Sequence, residues 1–423
     1  GAFATAPFSQ ARGSRAFGRR SKRMSPRAAL LLALLPFAAV SLQSARQVRR
    51  WNAGHRPVTV TQLVNAEYCA DLATTAAVLV SPGKGILVSD ETDATLDERM
   101  FNAGILDAPS KESRKAYREL LYTAPDLGKF VSGAILTADM LHETLQDGTP
   151  LVNVLNSAGI LPGVRMDLGD APLPGALPGE CFTLGLDTLQ ERAKFHKERG
   201  ARFGEWRARF KITSDLRAPS MLALKENCWT LARAARTMQE VGLVPLLEPA
   251  IFLGGDHPIE LAAEVQERVY SAVFQALSDN GVFLEGVLLK PSMTLPGSNC
   301  IEEVKPELIA AYSVRTLERT VPSAVAGVTF NSGGLSEEEA SLCLDAMNRI
   351  ERKGPWSVTF GFARTLQQSS IRAWAGDAGN AAAAQQALLA RCRANGEANL
   401  GKYVPGSQPS TDDAFALRGT AAR

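Results

Sequence analysis

Eight short apolar runs recur between residues 85 and 364, and a segment with helical spacing follows each of them. They read GILVSD (85–90), VSGAIL (131–136), GVRMD (163–167), ARFGEWRARFKI (201–212), LVPLLEPAIF (243–252), LEGVLLKP (284–291), AGVTFNSGG (326–334) and WSVTFGFAR (356–364). Successive starts lie about 30–45 residues apart, room for a strand, a helix and two loops. SEEEASLCLDAMNRI (336–350) illustrates the helical segments, with apolar residues at i, i+3 and i+4 behind a serine cap. Eight strand–helix units are the count of a (β/α)8 TIM barrel. A doubly wound open sheet is the structural alternative, but it would more usually carry a G-x-G-x-x-G turn after its first strand, and none occurs.

In a barrel, polar residues at the carboxyl ends of the strands converge on one mouth. Asp90, Asp167, Glu248, Lys290, Ser332 and Arg364 occupy such ends. Lys290 closes an apolar run, Leu284–Leu289, whose composition predicts a buried strand. An unpaired ammonium buried there would cost several kcal/mol or shift its pKa downward. Either the amine reaches solvent at the strand end, or a depressed pKa makes it a nucleophile. NSGG (331–334) follows the seventh run and GFAR (361–364) the eighth. These are the loops in which barrel enzymes commonly hold phosphate, with Gly333 and Gly334 allowing close backbone approach and Arg364 supplying a cation.

From about residue 60 to Tyr403 the chain resembles the class I fructose-bisphosphate aldolases, through PGKGILVSDET, EGVLLKPSM, GVTFNSGGLSEEEAS, PWSVTFGFARTLQ and ANLGKY in that order. The resemblance implies a reversible, metal-independent and cofactor-free retro-aldol cleavage of a ketose (bis)phosphate in glycolytic or Calvin-cycle carbon metabolism. Lys290 matches the lysine that forms a Schiff base with the ketose carbonyl, so that the iminium serves as electron sink. Asp90 matches the acceptor of the C4 hydroxyl proton, and Glu248 the acid/base that assists carbinolamine dehydration. Ser332, Gly333 and Arg364 match the pocket for the C1 phosphate. Arg99, Arg165, Thr92, Thr95, Trp206 and Arg207 match positions that line or support the site. A homotetramer is the assembly that the resemblance implies.

Several positions depart from the family pattern. In F-x-K-W-R of the fourth strand, Glu205 stands where a lysine belongs, and Lys211 is too far along a strand rising about 3.3 Å per residue to replace it. E-P-E of the fifth strand reads E-P-A, leaving Ala250 in place of the second carboxylate. Arg165 and Glu98 both replace lysines, and Thr92 and Thr95 replace serines. The charged exchanges make the site about three charges more negative than the pattern. An anion beside Lys290 stabilises its ammonium, and Glu98 and Glu205 would repel the C6 phosphate of a bisphosphate. Two alternatives to bisphosphate cleavage follow: an aldolase of altered substrate, and an impaired paralogue that binds phosphosugars or acts as a scaffold.

Residues 1–58 read as a targeting leader, 59–405 as the barrel and 406–423 as a flexible tail. No Asp or Glu occurs before Glu67, while eleven Lys or Arg do, which leaves a net charge of −9 on the rest of the chain. The near-neutral total therefore does not point to nucleic acid. Residues 28–42, AALLLALLPFAAVSL, are too short for a stable membrane span and fit a signal h-region. With the AFATAP start, the reading is import into a complex algal plastid; a secretory or cytoplasmic location is the alternative. Six scattered cysteines and four histidines show no metal-ligand spacing, so no metal site is expected.

Overall fold

The computed structural model describes residues 66–105, 110–213, 215, 217–302 and 304–410. The leader and the end of the tail, residues 411–423, lie outside the described residues. Ten strands follow in chain order. They are β1 (Gly85–Val88), β2 (Val131–Leu136), β3 (Leu161–Arg165), β4 (Asp170–Pro172), β5 (Cys181–Thr183), β6 (Phe203–Phe210), β7 (Val244–Ile251), β8 (Leu288–Leu289), β9 (Gly327–Phe330) and β10 (Ser357–Phe362). Eight of them close a barrel in the order β1-β10-β9-β8-β7-β6-β3-β2, with parallel pairing throughout. Each of the eight apolar runs supplies one barrel strand. The antiparallel hairpin β4–β5 is an addition that the repeat did not reveal.

The run 284–291 departs most from expectation. Leu284–Gly286 forms a 3-10 turn, and only Leu288–Leu289 pair in the sheet. The cause is a side chain that competes with the ladder. Gln239 accepts from the Phe283 N–H (2.9 Å) and donates to the carbonyls of Phe283 (2.7 Å) and Gly286 (3.3 Å). Backbone groups engaged in this way are satisfied without a strand partner. The ladder resumes past β8, where the Lys290 N–H donates to the Leu247 carbonyl at 2.7 Å.

Two apolar layers fix this geometry. The smaller fills the amino-terminal end of the barrel, where Ile86, Val88, Ile135, Phe203, Val244, Leu246 and Leu288 meet Leu72, Ala76 and Leu79 of the helix Ala66–Leu79. Phe203 supplies the bulk here because glycines face it. A Cβ at Gly163 would lie 2.2 Å from its ring, and one at Gly133 3.2 Å. The larger layer packs the outer faces of the strands against the surrounding helices, and Trp206, Phe210 and Phe362 belong to it. Helix starts follow local chemistry: Ser336 and Glu339 form a reciprocal capping box at the head of Glu337–Arg349. The amino-terminal half of the barrel is thus a packed plug, and the polar side chains are left to the opposite end.

Candidate active site

Three consecutive strands, β6, β7 and β8, bring Glu205, Glu248 and Lys290 together. Side chains alternate along a strand, so Glu205 and Arg207 share the inward face of β6 while Trp206 points into the outer core. Lys290 is 2% exposed, Glu205 1% and Glu248 4%. The Lys290 Nζ donates to Glu205 Oε1 at 2.6 Å and to Glu248 Oε2 at 3.0 Å. Glu248 Oε2 also meets Arg207 Nε at 2.9 Å, and its Oε1 accepts from Asn331 Nδ2 at 3.3 Å. The second Glu205 oxygen is buried with no hydrogen-bond partner.

The lysine is therefore paired, and the choice between a solvated strand end and a depressed amine is resolved as neither. Burial alone would lower the Lys290 pKa, but Glu205 and Glu248 outweigh it and hold the amine above its ordinary value. Burial, then the Asp90 and Glu248 carboxylates, push Glu205 up to about 8 against the opposing pull of Lys290. Burial also acts to raise Glu248, but Arg207 and Lys290 overcome it and keep that group well below the usual carboxylate range. At neutral pH the cluster holds an ammonium and an ionised Glu248, with Glu205 sharing in the proton inventory.

A cavity of about 470 Å³ opens over this cluster. Asp90, Glu91, Thr92, Thr95, Arg165, Arg207, Glu248, Lys290, Ser332, Gly333 and Arg364 line it, so most residues expected at the site share one space. Arg165 donates to Asp167 at 2.8 and 3.1 Å and lies 3.9 Å from Asp90. Thr92 caps the helix Asp93–Asn102, and its hydroxyl lies 3.0 Å from that of Thr95. Gly333 and Gly334 take left-handed φ of 59° and 90°, which turns the chain sharply after β9. Arg364 reaches into that turn and donates to the carbonyls of Gly334 (2.9 Å) and Leu335.

Other expected positions fall elsewhere. Glu98 is exposed on its helix and does not line the cavity. Arg99 is buried in an ion pair with Glu91. Lys211 donates to the Pro178 carbonyl at 2.8 Å, away from Lys290. Ala250 lines an adjoining cavity. Tyr403 is fully buried, its hydroxyl donating to Glu338 at 2.6 Å. Glu91 and Asn331 are site residues that sequence reasoning did not single out. Burial is the main force raising the Glu91 pKa, with Arg99 opposing it. Asn331 could have been found from its place beside Ser332 in NSGG. Among the described residues, no group of three or more His, Cys, Asp or Glu is placed to hold a metal ion.

Known proteins share the fold and much of the sequence. The family model described as "Fructose-bisphosphate aldolase class-I" matches residues 71–418. The cytosolic fructose-bisphosphate aldolase 6 of Arabidopsis thaliana is 47% identical over 338 residues, 80% of this chain and 93% of that protein. A chloroplastic fructose-bisphosphate aldolase of Oryza sativa subsp. japonica is 43% identical over 356 residues, 84% of this chain and 90% of that protein. A solved fructose-bisphosphate aldolase from Plasmodium falciparum, in complex with TRAP and a small-molecule inhibitor, superposes with a TM-score of 0.78 at 43% identity. The match covers 81% of this chain and 98% of that one.

Proposed function

Because the chain belongs to the class I fructose-bisphosphate aldolase family, we propose that it catalyses reversible aldol cleavage of a ketose phosphate through an imine on Lys290. The observation that carries this reading is a buried amine at the floor of a polar cavity, with Asp90, Glu248 and a glycine-lined turn around it. The Lys290 amine adds to the ketose carbonyl, and Glu248 moves the proton that lets water leave. The resulting iminium draws electrons as the C3–C4 bond breaks, and Asp90 accepts the C4 hydroxyl proton. The aldehyde departs; the enamine is protonated, and water releases dihydroxyacetone phosphate. The Ser332–Gly334 turn, held by Arg364, seats the C1 phosphate.

Before any of this, Lys290 must lose a proton. Glu205, 2.6 Å away, is the nearest acceptor and also the group that holds the proton in place. Imine formation is slowed for that reason, whichever ketose phosphate is bound.

Borohydride reduction with dihydroxyacetone phosphate tests the reading. The expected result is a stable adduct on Lys290, mapped by mass, with none on Lys290→Ala. Absence of the adduct at every pH up to about 10 would overturn it. We further propose plastid import for the leader, supported by its acid-free basic composition and the chloroplastic rice relative. Residues 1–58 fused to a fluorescent protein should carry it into the plastid of an alga with complex plastids; diffuse cytosolic fluorescence would contradict this.

A further inference from the structure

Asn331 is the first residue past β9, and the phosphate turn that follows it does not use its side chain. Its N–H donates to the Pro291 carbonyl at 3.0 Å, and it pairs with Ser292 in a single parallel bridge beyond the ends of β8 and β9. Strand β8 lies between β9 and β7 in the barrel, so the Asn331 side chain reaches across the end of β8 to Glu248 on β7. There its Nδ2 lies 3.3 Å from Glu248 Oε1 and 3.4 Å from Ser292 Oγ. The nitrogen is the end of the amide that belongs against Glu248. Turned over, the amide would set an oxygen against a carboxylate oxygen with no hydrogen between them.

The two oxygens of Glu248 thus have different partners. Oε2 meets the Lys290 amine at 3.0 Å and Arg207 Nε at 2.9 Å, and Oε1 meets Asn331. A carboxylate held at one oxygen can still swing about its last side-chain bond, where the torsional wells are broad. Held at both, it keeps Oε2 toward the amine. The support behind Asn331 is itself fixed. Gln266, 1% exposed, donates to the carbonyls of Ser292 (3.2 Å) and Met293 (3.4 Å) and accepts from Thr294 Oγ1 at 2.5 Å. The Thr294 N–H donates to Ser313 Oγ at 2.9 Å. The segment after Lys290 is therefore pinned from two helices, Ile259–Asp279 and Pro306–Thr320, and Asn331 takes its place from that segment.

We propose that Asn331 is a positioning residue for imine formation: it donates to Glu248 Oε1 and so fixes Oε2 as the oxygen that carries a proton between the Lys290 nitrogen and the leaving oxygen. The inference rests on the aldolase reading given above. In the overall step an ammonium and a ketone become an iminium and water. Two of the three N–H protons pass to the ketone oxygen, and the third stays on nitrogen. The nitrogen lone pair closes the iminium as the C–O electron pair departs with water. Glu248 Oε2 carries the proton that lets water leave, and a carboxylate that swings away delivers it more slowly.

The full chain is mixed with dihydroxyacetone phosphate at a series of concentrations, and the imine on Lys290 is trapped with borohydride at timed intervals. Rates are referred to the fraction of each variant that urea unfolding shows to be folded. Asn331→Leu, similar in size but without a donor, should lower the maximal rate of adduct formation about tenfold, the loss expected for a hydrogen bond to a charged group. The concentration giving half that rate should stay within about twofold of the wild type, because the phosphate turn is untouched. Asn331→Asp, which sets an acceptor where the donor stood, should lower the maximal rate further. Maximal rates equal to the wild type in both variants would overturn the proposal. A rise in the half-rate concentration at an unchanged maximal rate would overturn it too, by assigning Asn331 to substrate binding instead. Absence of any adduct on the wild type would overturn the aldolase reading and this inference together.

Discussion

Glu205 and Lys290 sit two strands apart in the barrel, with β7 between them, and both side chains face inward. The carboxylate at the position of the family pattern's lysine therefore lies against Lys290, the proposed nucleophile. Its raised pKa has a consequence for stability. An ordinary glutamate ionises near 4.5, and burial, with Asp90 and Glu248 adding to it, moves Glu205 to about 8. Between those values the folded chain keeps a proton that the unfolded chain has lost. This contribution to stability is complete below about pH 4.5 and is lost by about pH 8, at up to about 1.4 kcal/mol per pH unit. Urea unfolding from pH 5 to 8 should show a steeper loss for the wild type than for Glu205→Gln, which cannot titrate; parallel curves would contradict the assignment. The sequence pointed to Glu205 by its place in F-x-K-W-R, but not to its orphaned carboxylate oxygen, which depends on how strands meet. Glu98 shows the converse limit. Thr92, Thr95 and Arg99 follow i, i+3, i+7 spacing on one side of the helix, and a residue at i+6 falls away from it.

At the level of elements, strand existence was legible because each barrel strand is short, apolar and bounded by a turn. Strand length was not. The run 284–291 has the composition of a full strand, yet Gln239, distant in sequence, takes the backbone groups of Phe283 and Gly286. No local pattern encodes such a contact. The β4–β5 hairpin was missed for a related reason, since its half-exposed residues carry little apolar signal. The barrel floor makes a sharper prediction. Gly163 and Phe203 occupy one volume, so Gly163→Ala, with a Cβ 2.2 Å from the ring, should destabilise the fold by about 1–3 kcal/mol through overpacking. Phe203→Leu alone should cost a similar amount by opening a cavity. The double substitution should cost less than the sum, as measured by denaturant unfolding; strict additivity would show that the two positions do not share space.

For the whole molecule, the packed amino-terminal end and the polar carboxyl-terminal end of the barrel divide stability from chemistry. The family resemblance identified that division and most of the residues at the mouth; it could not show how the departures pair with one another. In the folded chain they concentrate on one point, a buried lysine whose pKa Glu205 and Glu248 hold above its ordinary value. Fructose 1,6-bisphosphate cleavage by the wild type and by Glu205→Lys, each with its borohydride adduct on Lys290 quantified, tests that point most directly. A cation at position 205 removes the anion that stabilises the ammonium and lowers the Lys290 pKa; each unit of that fall gives about tenfold more free amine. Glu205→Lys should raise kcat at least tenfold; an unchanged or lower kcat with the Lys290 adduct intact would contradict the role given to Glu205.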